Sequence, residues 1–243
     1  MVKAINNLPD VSFVEGSYHS GKDNRTYPQK MVYLEYTCQK ELLRQLYRGN
    51  VCHLACNKLI RKEIIIDNSL FFVEGIIFED IQWTHRLFHL SSSAIIIPDV
   101  TYEYVYNPKS TSTTSNLNAT KSINSFAYVL NSFLDTKEDY AYVDHKLYVF
   151  HYMLNAMDIQ MKGTADKDSI DRLAGVKKRL MGQMLCDGRL ILATFFLLMF
   201  NPFSYLLKTS AIRRRIYWIE KVVSILANKF NWLHRDNISS SLV

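Results

Sequence analysis

Apolar and polar positions change period along the chain, and the change divides it near residue 115. Before that point alternating and helical stretches are mixed. A short amphipathic piece around Val2, Ile5 and Leu8 leads into Asp10 to Val14, whose alternation predicts a strand. Ser17 to Pro28, with Gly21, Asp23 and Asn24, reads as a loop. Met31, Leu34, Cys38, Leu42 and Leu46 then fall on one helical face, with Gly49 at the stop. Val51 to Ala55 reads as a buried strand, and Lys58 to Ile65 as a short helix that Asn57 would cap.

The stretch that follows is the most informative. A Gly-containing turn, Val73-Glu74-Gly75, precedes Phe78-Glu79-Asp80, and Ile81, Thr84, Leu87 and Phe88 then recur at helical spacing. Ala94 to Ile97 is a β-branched run ended by Pro98, and the alternating Tyr102, Tyr104 and Tyr106 predict a second strand after it. Ser110 to Ser125, rich in Ser, Thr and Asn, reads as a flexible linker or lid.

From Ser125 onward the period is helical. Phe126, Val129, Leu130 and Phe133 form one stripe, and Tyr142, Leu147, Phe150, His151 and Leu154 a second. Asp168 to Met184 is a third, with Ile170, Leu173, Val176 and Leu180 in phase. Leu190 to Phe200 is the most apolar run, yet it falls short of the roughly 20 residues that span a bilayer. The expectation is a mixed α/β fold with a few strands in residues 1–115 and an all-helical region over 116–243.

With 48% hydrophobic and 21% charged residues, such a chain can bury a core. Its net charge of +6 gathers at the end, where residues 208–243 carry seven Lys or Arg against Glu220 and Asp236. The apolar run beside Arg213 to Arg215 suits an anionic membrane surface, and equally a core helix with a basic outer face. No nucleic-acid motif accompanies the charge, and no nucleic-acid partner is expected. Cys52-His53-x-x-Cys56 looks like half of a metal site, but no second ligand pair follows, so buried free thiols in a reducing cytoplasm are expected. Met1 to Leu8 has no signal-peptide core, which points the same way.

Candidate chemistry centres on Asp80. A carboxylate at a helix mouth accepts free backbone N–H groups and feels the positive end of the dipole, as a plain cap or as a general base toward a hydroxyl. Glu79 stands beside it. Lys58, Arg61 and Lys62 are a basic cluster for a phosphate-bearing acceptor, or a solvated face. Trp83 can stack on a sugar or pack in the core. His145 and His151 sit among aromatics and read as core histidines.

The order Asn57-Lys58-Leu59, Arg61-Lys62-Glu63, Phe71-Phe72, Glu74-Gly75, Glu79-Asp80 and Tyr102-x-Tyr104, with Ser110 and Ser112 downstream, resembles family-2 glycosyltransferases. The likeness is to bacterial members of GT-A fold that build surface polysaccharides, and it covers residues 8–115. It implies that 1–115 is the acceptor-side half of the catalytic domain and that 116–243 is a helical appendage. Asp80 would be the catalytic base of an inverting transfer from a nucleotide sugar to a glycan or lipid-linked acceptor. Glu79, Asn57, Lys58 and Trp83 would serve the acceptor side.

The family's nucleotide-binding half ends in an Asp-x-Asp motif that holds a divalent cation, Mn or Mg. No Gly-rich phosphate loop and no Asp-x-Asp lies upstream of Asn57. The expectation is therefore a truncated or split enzyme. The cation and donor would belong to the complete enzyme with an upstream polypeptide, and this chain would expose an apolar edge where further strands pair. The alternative is a non-catalytic remnant that binds a partner or membrane through its helices.

Overall fold

A computed structural model describes residues 1–189 and 193–194, apart from 8–9, 28–32, 111–113, 115–116 and 137–141. Apart from residues 193–194, the expected apolar run of Leu190 to Phe200 lies outside the described residues, as do the basic Arg213 to Arg215 segment and Met31. The fold is mixed α/β, with a curled sheet and several helices. In chain order the elements are α1 (Val2–Asn7), β1 (Phe13–Ser20), β2 (Arg25–Tyr27), β3 (Leu34–Tyr36), α2 (Gln39–Tyr47), β4 (Lys58–Ile60), α3 (Lys62–Asp67), α4 (Glu79–Leu90), β5 (Ala94–Tyr104), α5 (Ala119–Asp135), α6 (Tyr142–Lys162) and α7 (Lys167–Cys186). Two compact units divide the chain, Met1–Val176 and Lys177–Val243. The first holds the whole sheet together with α5 and α6. Among the described residues, no helix is long and apolar enough to cross a membrane.

The sheet is built around β1. It runs parallel to β5 on one side and antiparallel to β4 and β2 on the other, while β3 pairs antiparallel with Ala94 to Ile96 of β5. Against one part of it packs α1, where Ala4 meets Val11, Val14, Ile95 and Ile97. Elsewhere Phe13 meets Phe88 of α4, ring centroids 5.0 Å apart. Because both faces are covered, β1 is buried from Phe13 through Ser17 without alternation.

Several expected boundaries move, each for a tertiary reason. The strand expected over Asp10 to Val14 continues to Ser20, and the loop expected from Ser17 contains β2, because β5 and β2 supply partners to a polar, Gly-containing sequence. The helix expected from Met31 begins only at Gln39, since Leu34 to Tyr36 pair with β5. Lys58 to Ile60 form β4 rather than a helix, so Asn57 caps nothing there, and α3 starts at Lys62. Val51 and Cys52 are buried as expected but form no strand, because the Cys52 N–H donates to the Glu15 carboxylate at 2.6 Å. The two strands expected on either side of Pro98 are one strand. Ile96 is the last residue paired to β3, so the missing N–H of Pro98 falls where β3 no longer asks for it. Within the expected linker, residues from Ala119 onward already belong to α5. Of the four cysteines, all free, only Cys52 is buried.

Beyond Pro98 the β1–β5 register slips, from Glu15 opposite Ile96 to Ser17 opposite Val100 and Tyr18 opposite Tyr102. At this irregularity the Thr101 side chain occupies the space that a Cβ on Gly16 would need. A methyl group there overpacks the seam, a fault worth about 1–3 kcal/mol. Gly16→Ala is therefore expected to lower the melting temperature, and Gly16→Ala combined with Thr101→Ala to recover most of the loss; thermal unfolding followed by circular dichroism checks both.

Candidate functional site

Asp80 is delivered by a backbone held under strain. Gly75 turns the chain at φ +80°, and Phe78, immediately before α4, sits in the left-handed region at φ 64°, ψ 32°. A bulky residue there costs of order 1 kcal/mol or more and persists only where its surroundings insist on it. The insistence comes from α5. The Phe78 ring stacks on Phe126 at 4.5 Å, and the Ile77 N–H donates to the Ser125 hydroxyl at 2.9 Å. Ser125 in turn donates to the Lys121 carbonyl at 2.8 Å, which fixes its orientation.

With that turn fixed, α4 opens on Glu79 and Asp80. Burial pushes the Asp80 carboxyl up to about 6, the neighbouring Glu79 charge adds to the rise, and the amides of Ile81 and Asp80 and the charge of Lys58 oppose it. Asp80 is thus a half-buried carboxyl that ionises near neutrality, an environment suited to general-base work.

Facing it is the loop from Cys52 to Lys58, moored to β1 by a buried ion pair. The side chains of Lys58 and Glu15 are both fully buried, with Nζ 3.1 Å from Oε2. Lys58 also donates to the carbonyls of Cys52 and Leu54, at 2.8 and 2.6 Å, and to Asn57 Oδ1 at 3.2 Å. Asn57, itself buried, donates through Nδ2 to the Gly16 carbonyl at 2.6 Å, and the Gly16 N–H donates to the Asn57 carbonyl at 3.1 Å. Lys58 and Asn57 therefore fasten this loop to the sheet, and of the two it is Lys58 whose charge reaches Asp80. Cys56 lies exposed on the loop, where its thiol feels both the Asp80 charge and the Tyr102 phenol.

Trp83 points elsewhere. It is buried, its indole N–H donates to the Leu70 carbonyl at 3.0 Å, and its ring stacks with Phe72 at 5.0 Å. On the α2 side of α4, His85 and His89 lie 4.5 Å apart, and both imidazoles share the Tyr47 hydroxyl, at 3.4 and 3.0 Å. His145 and Tyr148 of α6 and Phe133 of α5 complete the cluster. Burial holds the His85 imidazole well below its ordinary value, and His89 and His145 reinforce this. Among the described residues no three His, Cys, Asp or Glu converge on a point that could hold a metal ion.

Of the residues singled out in the sequence, the structure brings Asp80, Glu79, Lys58 and Asn57 to one region and packs Trp83 into the core. Glu15 and the parts played by Phe78 and Ser125 were not foreseen, and Cys56, expected to be a buried thiol, is exposed. A signal existed for Glu15, a carboxylate inside an apolar strand, which demands a buried partner. Compared with known proteins, the chain matches no family model and no curated protein.

Two outcomes follow from this geometry. A carboxyl whose folded value lies near 6, above the ordinary value near 4, stabilises the fold while protonated, and that contribution is lost as pH rises through 6. Asp80→Asn, which stays neutral, is expected to raise stability by on the order of 2 kcal/mol at pH 7.5 and by almost nothing at pH 4. Urea denaturation at the two pH values measures the difference. Removing one member of the buried pair strands the other, at about 3–5 kcal/mol. Glu15→Gln or Lys58→Met alone should therefore destabilise far more than the two together, and the double-mutant cycle reads the coupling.

Proposed function

We propose that this chain provides the acceptor side of an inverting glycosyltransferase of the GT-A type, with Asp80 as its general base. The observation that carries the reading is Asp80 itself: a half-buried carboxyl at the mouth of α4 that titrates near 6, presented by a strained residue. In this reading the ionised Asp80 takes the proton of an acceptor hydroxyl while that oxygen bonds to the anomeric carbon of the donor sugar. The bond to the nucleoside diphosphate breaks on the opposite face, inverting the centre. Glu79 keeps the carboxyl from ionising too early, and Lys58 and Asn57 hold the facing loop at a fixed distance. The acceptor is a glycan or a lipid-linked glycan of a surface polysaccharide.

Among the described residues no three His, Cys, Asp or Glu gather to hold the Mn or Mg ion that such a transfer uses in the complete enzyme. The donor nucleotide is held, in this reading, by an accompanying upstream polypeptide. An anionic membrane surface is a further partner in this reading, met by the basic segment around Arg213 to Arg215.

The test is transfer from uridine- or guanosine-diphosphate sugars to an oligosaccharide, measured with the full chain and any accompanying polypeptide. Asp80→Asn is expected to lower kcat by about 10² to 10⁴ while the fold survives. In the unaltered protein kcat/KM should rise with pH through a limb near 6, as Asp80 ionises. Turnover near normal in the Asn variant removes Asp80 from the mechanism.

A further inference from the structure

In open α/β sheets ligands bind outside the carboxyl ends of the parallel strands, where the connections diverge and leave a crevice. Here β1 and β5 are the parallel pair, and their carboxyl ends are tyrosine-rich. Tyr18 lies in register with Tyr102, Ser20 with Tyr104, and Tyr27 of β2 with Tyr18. The rings of Tyr18 and Tyr27 stack at 5.4 Å, and the Tyr104 ring lies 6.4 Å from Tyr18. Tyr102 is 37% exposed.

This surface is continuous with the candidate site. Cys56 interacts electrostatically with both the Tyr102 phenol and the Asp80 carboxylate. Helix α4 ends at Leu90, shortly before β5 opens beside Phe13, so its first residues lie toward the carboxyl ends of the strands. One end of the sheet thus gathers the carboxyl, the thiol and the four phenols.

We propose that this tyrosine surface is a subsite for the part of the acceptor glycan already assembled, with pyranose rings laid along Tyr102 and Tyr104 while the terminal hydroxyl reaches Asp80. The proposal rests on the glycosyl-transfer reading above and narrows its acceptor to an oligosaccharide. A pyranose has an apolar C–H face and a rim of hydroxyls, and a phenol offers the matching pair, a flat apolar ring and a polar edge. A phosphate would call for cations at the centre of the surface, where the phenols stand. An acyl chain would find hydroxyls interrupting its path.

The experiment is calorimetric titration of the full chain with cellohexaose, chitohexaose, mannohexaose and methyl glucoside. At least one hexasaccharide is expected to bind, more tightly than the monosaccharide by tenfold or more. Tyr102→Ala should weaken that binding about tenfold, while Tyr128→Ala, an exposed tyrosine of α5, should leave it unchanged. Thermal unfolding confirms that each variant folds, and Tyr102→Leu takes the place of the Ala variant if that one does not. Turnover insensitive to Asp80→Asn would overturn the base and leave the subsite standing. Absence of binding across the hexasaccharides, or binding that ignores Tyr102, overturns the subsite.

Discussion

A carboxylate and an ammonium taken out of water together, Glu15 and Lys58, are the constraint on which the rest of this arrangement depends. Each charge alone would be costly inside the fold, so the loop bearing Lys58 cannot leave β1 without stranding the Glu15 carboxylate in an uncompensated interior. The pair also organises the backbone around it. Glu15 takes the Cys52 N–H, and Lys58 takes the carbonyls of Cys52 and Leu54, so a segment with no regular structure still has its polar groups met. A loop so anchored presents Cys56 and the Lys58 field to Asp80 at a fixed distance.

The other half of the site is fixed from a different quarter. Phe78 holds a conformation that a free chain would avoid, and it is α5, through Phe126 and Ser125, that keeps it there. The carboxyl that follows is itself held partly out of water. Strain and desolvation therefore coincide at one short segment, and the sheet and α5 together sustain it.

How much of this was legible in the sequence depended on whether a residue's role is set locally or at a distance. Helix α4 was legible because its apolar spacing and acidic first turn are local facts, and α7 for the same reason. Asp80 was legible as a helix-mouth carboxylate, but its raised ionisation depends on burial, which no local pattern reports. β1 was cut short because Gly16, Ser17 and Ser20 look like loop chemistry until β5 supplies their partner. Lys58 was read as part of an acceptor cluster or of a solvated face, and Asn57 as a helix cap or an acceptor-side residue, since nothing nearby in sequence announces Glu15, which approaches through β1. Trp83 was read with two alternatives open, and the geometry of Leu70 and Phe72 took the packed one.

The path of β5 has a bearing on how this molecule keeps to itself. Past Ile96 its outer edge has no described strand beside it, and a straight, apolar edge of that length would template the addition of foreign strands. This one is ill suited to the purpose. Pro98 removes a donor from the row, the slip in register around Thr101 breaks the even spacing that a neighbouring strand would need, and Asp99 and Glu103 place carboxylates along the exposed stretch. The same irregularity that brings Thr101 over Gly16 thus acts as a guard against edge-to-edge aggregation, and straightening it would trade solubility for regularity.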